Sequence, residues 1–264
     1  MMPSLFVAHG APLLAIENNS YTQALQQLSS QLPRRPRAIV MFSAHWEAFD
    51  QMVGTMETFP TIHDFGGFPQ ELYEIQYPAK GDEAIAQETV QLLRDAGVPV
   101  GLNTTRGLDH GHWVVLRHIF PQADVPVVAL SVNPNLTVVQ QYAIGKALSP
   151  LRQKDVLIVG SGGTIHNFSY LNMLETSEGA FDWALQFEEW LQQTLTGWKV
   201  DELARYRELA PHAEKAVPVY GSEHFVPLVY AMGAADDERA AQRLHMSFRY
   251  GSLSHTIWQF GHAK

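Results

Sequence analysis

Apolar residues fall into two rhythms along this chain. Short unbroken runs have the length and composition of strands covered on both faces: Ser4-Leu-Phe-Val-Ala8, Ala38-Ile-Val-Met-Phe42, Val125-Pro-Val-Val-Ala-Leu-Ser-Val132 and Val156-Leu-Ile-Val159. Between them the apolar positions recur at helical spacing. Tyr21, Leu25, Leu28 and Leu32 make the inner stripe of a helix capped by Asn19 or Ser20 and closed by Pro33 and Pro36. Asp82 caps a second helix ending near Ala96 and Gly97, and Thr137 to Leu151 reads as another. Phe181 to Thr194 is a helix with Trp183, Phe187, Trp190 and Leu191 facing inward. Ser222 caps one more, with His224 in its first turn and Pro227 close enough to the start to be tolerated. Strand–helix–strand succession predicts that the runs at 4–8 and 38–42 are adjacent and parallel.

The remaining segments are less regular. Residues 47–81 predict a long loop with a short strand near Val53 and a helical turn or two over Gln70 to Tyr77. Gly107-Leu-Asp-His-Gly-His-Trp113 reads as a second polar loop, followed by a short helix from Val114 to Phe120. Near the end, Met246, Phe248 and Tyr250 alternate as an edge strand would, within Arg243 to Gln259. No repeat or linker divides the chain. The expected architecture is α/β: one domain over residues 1–264, a central mostly parallel mixed sheet flanked by helices, and a site at the carboxyl ends of its strands.

Histidines follow the strand runs. His9 and His45 each stand just past one, and His166 follows another across Gly160-Ser-Gly-Gly163. Strand ends deliver such side chains to the crevice where open α/β sheets bind ligands, and neutral imidazole is a common ligand of zinc, iron and copper. A catalytic metal needs a third protein ligand and an open position. Glu223-His224 is the candidate, with His224 preferred and Glu223 as its hydrogen-bond partner or the alternative ligand. His166 reads either as a further ligand or as a general acid/base, since an unperturbed histidine titrates near ~6.5. The glycines before it fit neither a phosphate loop nor a nucleophile elbow and instead let backbone pass close to the site. Asp109-His110-Gly-His112 is a weak metal pattern, placing His110 beside the substrate more readily than on a metal. His63, paired with Asp64, together with Trp46, Trp113, Phe225, Phe65 and Phe68, is expected to wall a flat substrate.

Composition narrows the class. Apolar residues make up 46% and charged residues 17%, which is ordinary for a folded enzyme. A net charge of −9 argues against nucleic acid or an anionic membrane as partner. The absence of cysteine excludes disulfides, thiolate zinc sites and a cysteine nucleophile. No run approaches the roughly 18 apolar residues of a membrane span, so a cytoplasmic protein, monomeric or a small homo-oligomer, is expected.

Taken together, Ala8-His9-Gly-Ala-Pro12, Phe42-Ser-Ala-His-Trp46, Thr61-Ile-His-Asp-Phe-Gly-Gly-Phe-Pro69, Leu108-Asp-His-Gly-His-Trp113, Ile165-His-Asn167, Glu223-His-Phe-Val-Pro-Leu228 and Gly251-Ser-Leu-Ser254 resemble the class III extradiol ring-cleavage dioxygenases, in their 4,5-DOPA branch. The resemblance spans nearly the whole chain. It implies a mononuclear non-haem Fe(II), with Zn(II) as a plausible bound metal, and O2-dependent opening of a catechol to a muconic semialdehyde. It also implies His9, His45 and His224 as metal ligands, His166 as active-site histidine or fourth ligand, and His110 on the substrate side. Distant relatives carry a glutamate as third ligand, so His224 departs from the 2-His-1-carboxylate set. Two other readings fit the same residues: a zinc hydrolase with Glu223 beside the metal, which would need no oxygen, and a non-catalytic binding relative of the fold.

Overall fold

The computed structural model describes residues 1–175 and 179–262. In chain order the first half comprises β1 (Ser4–Ala8), α1 (Ser20–Gln31), β2 (Ala38–Glu47), β3 (Gln51–Gly54), α2 (Gln70–Glu74), α3 (Glu83–Asp95), β4 (Val100–Asn103), α4 (His110–Ile119) and β5 (Val127–Val132). The second half comprises α5 (Val138–Ala147), β6 (Val156–Gly162), α6 (Asp182–Thr196), three short helices, α7 (Val200–Ala204), α8 (Tyr206–Leu209) and α9 (Ala213–Ala216), then α10 (Val226–Gly233), β7 (Ala241–Arg249) and β8 (Leu253–Phe260). The strands form one eight-stranded mixed sheet in the order β4-β3-β5-β2-β6-β1-β8-β7. The expected α/β class, with a mostly parallel centre and helices on both faces, is what the chain adopts. No helix among the described residues is long and apolar enough to cross a membrane.

Local chemistry explains several helix starts. The Asn19 side chain accepts from Thr22 N at 2.9 Å and closes a reciprocal capping box at α1. Thr137 and Gln140 close a second reciprocal box at α5, while Asp82 caps α3 from one side, accepting from Ile85 N. The apolar runs of β1, β2, β5 and β6 are almost wholly buried, as strands covered on both faces must be.

Several boundaries differ from expectation, and the differences matter for the site. β1 and β2 run the same way but are not neighbours: β6 lies between them and pairs in parallel with both. β2 continues through His45 to Glu47 with an irregular register after Phe42, so His45 projects from an irregular strand end rather than from a loop. β6 likewise runs through Gly160, Ser161 and Gly162, which are sheet and not turn. The segment from Arg243 is a two-strand hairpin turning at Tyr250 and Gly251, with β7 at the sheet edge. His224 sits in the turn before α10, not in its first helical turn, and Pro227 then occupies an early helical position where no amide is needed.

α4 starts four residues before the expected Val114, at His110, because Asp109 caps it. The buried Asp109 carboxylate accepts from Ser43 Oγ at 2.7 Å and Arg106 Nη2 at 3.1 Å, and it lies 2.9 Å from His112 Nδ1. Arg106 also donates to the His45 carbonyl at 2.8 Å, tying the cap to the end of β2. Gly111 permits this approach, since a Cβ there would lie 2.3 Å from Ser43 Oγ. Burial alone would raise the Asp109 carboxyl, but His112, Ser43 and His45 hold it well below the ordinary range. A depressed folded-state pKa means the stabilisation is complete above pH about 4 and drains away as pH falls toward the folded value. Asp109→Asn should therefore cost about 3 kcal/mol at neutral pH and flatten the acid dependence of stability, both read from urea unfolding between pH 3 and 7.

Candidate metal centre

Three strand and turn positions carry histidines to one point. His9 follows β1 directly, and its amide bonds Gly162 O at 3.1 Å. His45 comes from the irregular end of β2 and His224 from the turn ahead of α10. That turn lies against β6 because β6 has no side chains in the way: a Cβ on Gly162 would fall 2.0 Å from His224 O, and one on Gly160 2.1 Å from Pro227 O. Gly163 N then donates to His224 O at 2.8 Å. The glycines thus act by letting backbone approach, and their main effect is on His224.

The ring nitrogens converge. His9 Nε2 lies 3.0 Å and His224 Nε2 3.3 Å from His45 Nε2. His110, from the first turn of α4, packs its ring 3.9 Å from that of His45, and His9, His45 and His110 each offer a nitrogen within 4.8 Å of the other two. His166 is placed differently. Its ring lies parallel on the face of His224, centroids 3.5 Å apart, and 6.5 Å from His9.

Hydrogen bonds on the far side of the rings fix their tautomers. Ser161 Oγ donates to Gly111 O, so at 3.0 Å it can only accept from His9 Nδ1. Glu223 Oε1 accepts from His224 Nδ1 at 2.9 Å. Both Nε2 atoms therefore present bare lone pairs toward His45 Nε2, which carries at most one hydrogen to share between them. Burial first, and the neighbouring rings second, push His9, His166 and His224 well below the usual histidine range and His45 down to about 4. Neutral lone pairs crowded in a dry site repel unless a cation sits on them, and imidazole outer nitrogens bound to Ser161 and Glu223 are the usual support of metal-ligating histidines. The donor set fits a mononuclear metal.

Asp64 organises the open side. Its carboxylate accepts from His110 N at 2.8 Å, lies 3.0 Å from His110 Nδ1, and stands 3.7 Å from His45 Nδ1. Although burial opposes it, the His110 contacts hold Asp64 below the ordinary carboxylate value. A cavity of about 530 Å³ opens here, lined by His45, His110, His166 and His224 together with Phe65, Phe68, Asn167, Phe168 and Tyr220. A slightly larger groove of about 610 Å³ runs beside α3, between Thr55 and Leu102, but it holds none of these histidines.

The expected aromatic wall is rearranged. Phe65 and Phe68 do line the cavity, whereas Trp46, Trp113 and Phe225 are buried and do not. Trp113 donates from its indole to Ile62 O at 2.9 Å, so it anchors the 60–69 loop from beneath. Trp46 lies under the Arg106 guanidinium, and Phe225 packs on Tyr206 and Phe187. His63 bonds Ile75 O at 3.0 Å and stacks edge-on with Phe65 and Trp113, which makes it part of the loop's own packing. His112 is core, held between Asp109 and Met41 O. Ser161, Phe168 and Tyr220 had no signal of their own, because a serine between glycines or an exposed tyrosine matches no motif, while Asn167 stood out only as the neighbour of His166.

Comparison with known proteins gives the geometry a context. Residues 3–261 match the family described as the catalytic LigB subunit of aromatic ring-opening dioxygenase. The chain is 39% identical to 4,5-DOPA dioxygenase extradiol of Escherichia coli (strain K12), over 98% of this chain and 95% of that protein. It is 36% identical to the protein of the same name from Beta vulgaris, over 97% and 96%. A crystal structure of an uncharacterized protein from Escherichia coli K12 superposes with a TM-score of 0.83 at 34% identity, covering 99% of this chain and 100% of that one.

Removing the outer partner of a ligating histidine typically weakens metal binding 10–100-fold. Ser161→Ala and Glu223→Ala should each do so without unfolding the chain, a result to be read from competition with a chromophoric chelator.

Proposed function

The chain belongs to the LigB family of aromatic ring-opening dioxygenases, and from that premise we propose that its histidine crevice opens a DOPA-like catechol on an Fe(II) held by His9, His45 and His224. As a member of that family it is a metal-dependent extradiol dioxygenase, with a small-molecule catechol and O2 as substrates. The observation that carries the ligand assignment is that His9 Nε2 and His224 Nε2 approach His45 Nε2 to 3.0 and 3.3 Å while their own Nδ1 atoms are tied to Ser161 and Glu223; His110 offers a further nitrogen within 4.8 Å of those of His9 and His45.

The bound Fe(II) supplies Lewis acidity to the catechol oxygens and the redox capacity that O2 activation requires, which Zn(II) lacks. The chain's own residues do the rest. Phe65, Phe68 and Phe168 line the cavity and offer apolar surface to a flat ring. His166 is the proton-transfer group: its ring lies on His224 and lines the same cavity, where it can meet a catechol hydroxyl, and burial keeps the ring neutral, with a free nitrogen lone pair, while lowering its basicity. His110, oriented by Asp64, faces the substrate from the opposite wall beside His45. In the overall reaction both atoms of one O2 enter the product while the ring carbon–carbon bond beside the diol breaks, leaving a muconic semialdehyde and no other oxidised product.

Oxygen uptake tests this directly. Protein reconstituted anaerobically with Fe(II) and given L-DOPA, caffeate or protocatechuate should consume one O2 per catechol and yield a yellow semialdehyde, while Zn-loaded protein stays silent. No uptake despite confirmed iron loading would overturn the assignment. His166→Ala should retain its iron and lose roughly 10²–10⁴-fold in turnover; loss of the iron would instead make His166 a ligand.

A further inference from the structure

The inner face of α6 carries one residue that does not belong to an apolar core. Ala184, Phe187, Leu191 and Leu195 are buried there, and so, completely, is Glu188. A carboxyl group in such a place is costly unless its oxygens are bonded. Glu188 Oε1 is bonded: Ser254 Oγ donates to it at 2.9 Å and Thr164 Oγ1 makes a shorter hydrogen bond to it. Thr164 Oγ1 and Ser254 Oγ lie 2.6 Å apart, but each donates its single hydrogen to Glu188, so Ser254 Oγ is left to accept from Thr256, which extends the chain of hydroxyls. Oε2 faces Arg243 Nη1 at 3.9 Å, too far for a hydrogen bond. Burial raises the carboxyl above its ordinary value in spite of these donors; the two hydroxyls on Oε1, rather than the distant Arg243, are its bonded partners, and it serves them as an oxygen acceptor.

What the network holds is the turn carrying His166. Thr164 is two residues before it. Ser254 N donates to Ile165 O at 3.3 Å and His166 N to Ala216 O at 3.0 Å, so strand β8 and helix α9 grip the backbone on either side. We propose that Glu188 is a positioning residue for the reaction: through Thr164 and Ser254 it fixes the 163–167 turn and thereby the seat of the His166 ring against His224. The inference rests on His166 as the proton-transfer group. Glu188 is absent from the lining of the histidine cavity and acts only through its neighbours.

The test compares Glu188→Ala, Glu188→Gln, Thr164→Val and the Glu188→Ala/Thr164→Val double variant, with His166→Ala as reference. Amide hydrogen exchange of the 163–167 segment is read on metal-free protein; kcat, KM and iron content are read after Fe(II) loading. Glu188→Ala and Thr164→Val should each speed exchange of the His166 amide and lower kcat roughly ten- to hundred-fold, with KM and iron content close to wild type. The double variant should be no worse than the worse single, because both cut one connection. Glu188→Gln, which keeps an acceptor oxygen in place, should recover most of kcat. Should Glu188→Ala fail to fold, Thr164→Val, which keeps the shape and removes the hydroxyl, carries the test. Unchanged exchange and kcat in both single variants would overturn the proposal. So would a joint loss of kcat, substrate affinity, iron and thermal stability that Glu188→Gln does not relieve, which is the mark of simple packing. An unchanged kcat in His166→Ala would overturn the proton-transfer reading instead, leaving the exchange result to decide whether Glu188 holds the turn.

Discussion

Three imidazole rings brought to one largely buried point are the constraint on which the rest of this structure depends. Each neutral ring must be desolvated, each must point its Nε2 inward, and the three repel when nothing lies between them. The chain meets the cost by bonding the outer nitrogens of His9 and His224 to Ser161 and Glu223 and by fixing the Ser161 proton on Gly111 O, which removes the wrong tautomer. Ser161 also pairs in register with Val7 and with Ser43, so a single residue of the central strand touches both histidine-bearing strands.

Sheet order turns that local constraint into a fold requirement. With β6 between β1 and β2, His9 and His45 are two strands apart, and they meet only because His9 leaves the end of β1 while β2 loses its regular register after Phe42. His224 reaches the same point from above the sheet, across glycines that bear no side chain. At Gly162 even a methyl group would sit 2.0 Å from the carbonyl of His224. The glycine-rich run is thus a matter of clearance, and the strand it belongs to stays a strand.

Much of this was legible in the sequence. The four apolar runs gave the sheet centre, and Asn19, Asp82 and Thr137 cap α1, α3 and α5 where side-chain chemistry says they should. His45, His110, His166 and His224 line one cavity, with His9 buried directly behind them against His45 and His110. Other features were not legible, for physical reasons. Which strand separates β1 from β2 depends on where a later strand inserts, and no local pattern encodes that. The start of α4 was hidden because Gly111 and two histidines look like loop, whereas the Asp109 cap and the tight approach to Ser43 make them helix. Trp46, Trp113 and Phe225 were read as substrate walls because large aromatics beside histidines are compatible with both roles. Only burial separates them.

The position of His166 separates its role from that of the other histidines. A ligand must aim a nitrogen at the metal in the plane of its own ring, but the His166 ring lies within 5° of parallel to His224, 3.5 Å above its face. Two rings so stacked project their nitrogens along parallel planes about that far apart, so if His224 points at a metal, His166 points past it into the cavity. On the proposed assignment that offset suits a proton-transfer group, which must lie beside the metal ligands without being tied up on the ion. It also makes the ring's placement depend on its backbone turn, since stacking resists sliding only weakly. The turn is pinned to the His224 carbonyl at Gly163 and to α9 at His166 itself, so the two stacked rings share one frame, and a displacement of either would be felt by the other.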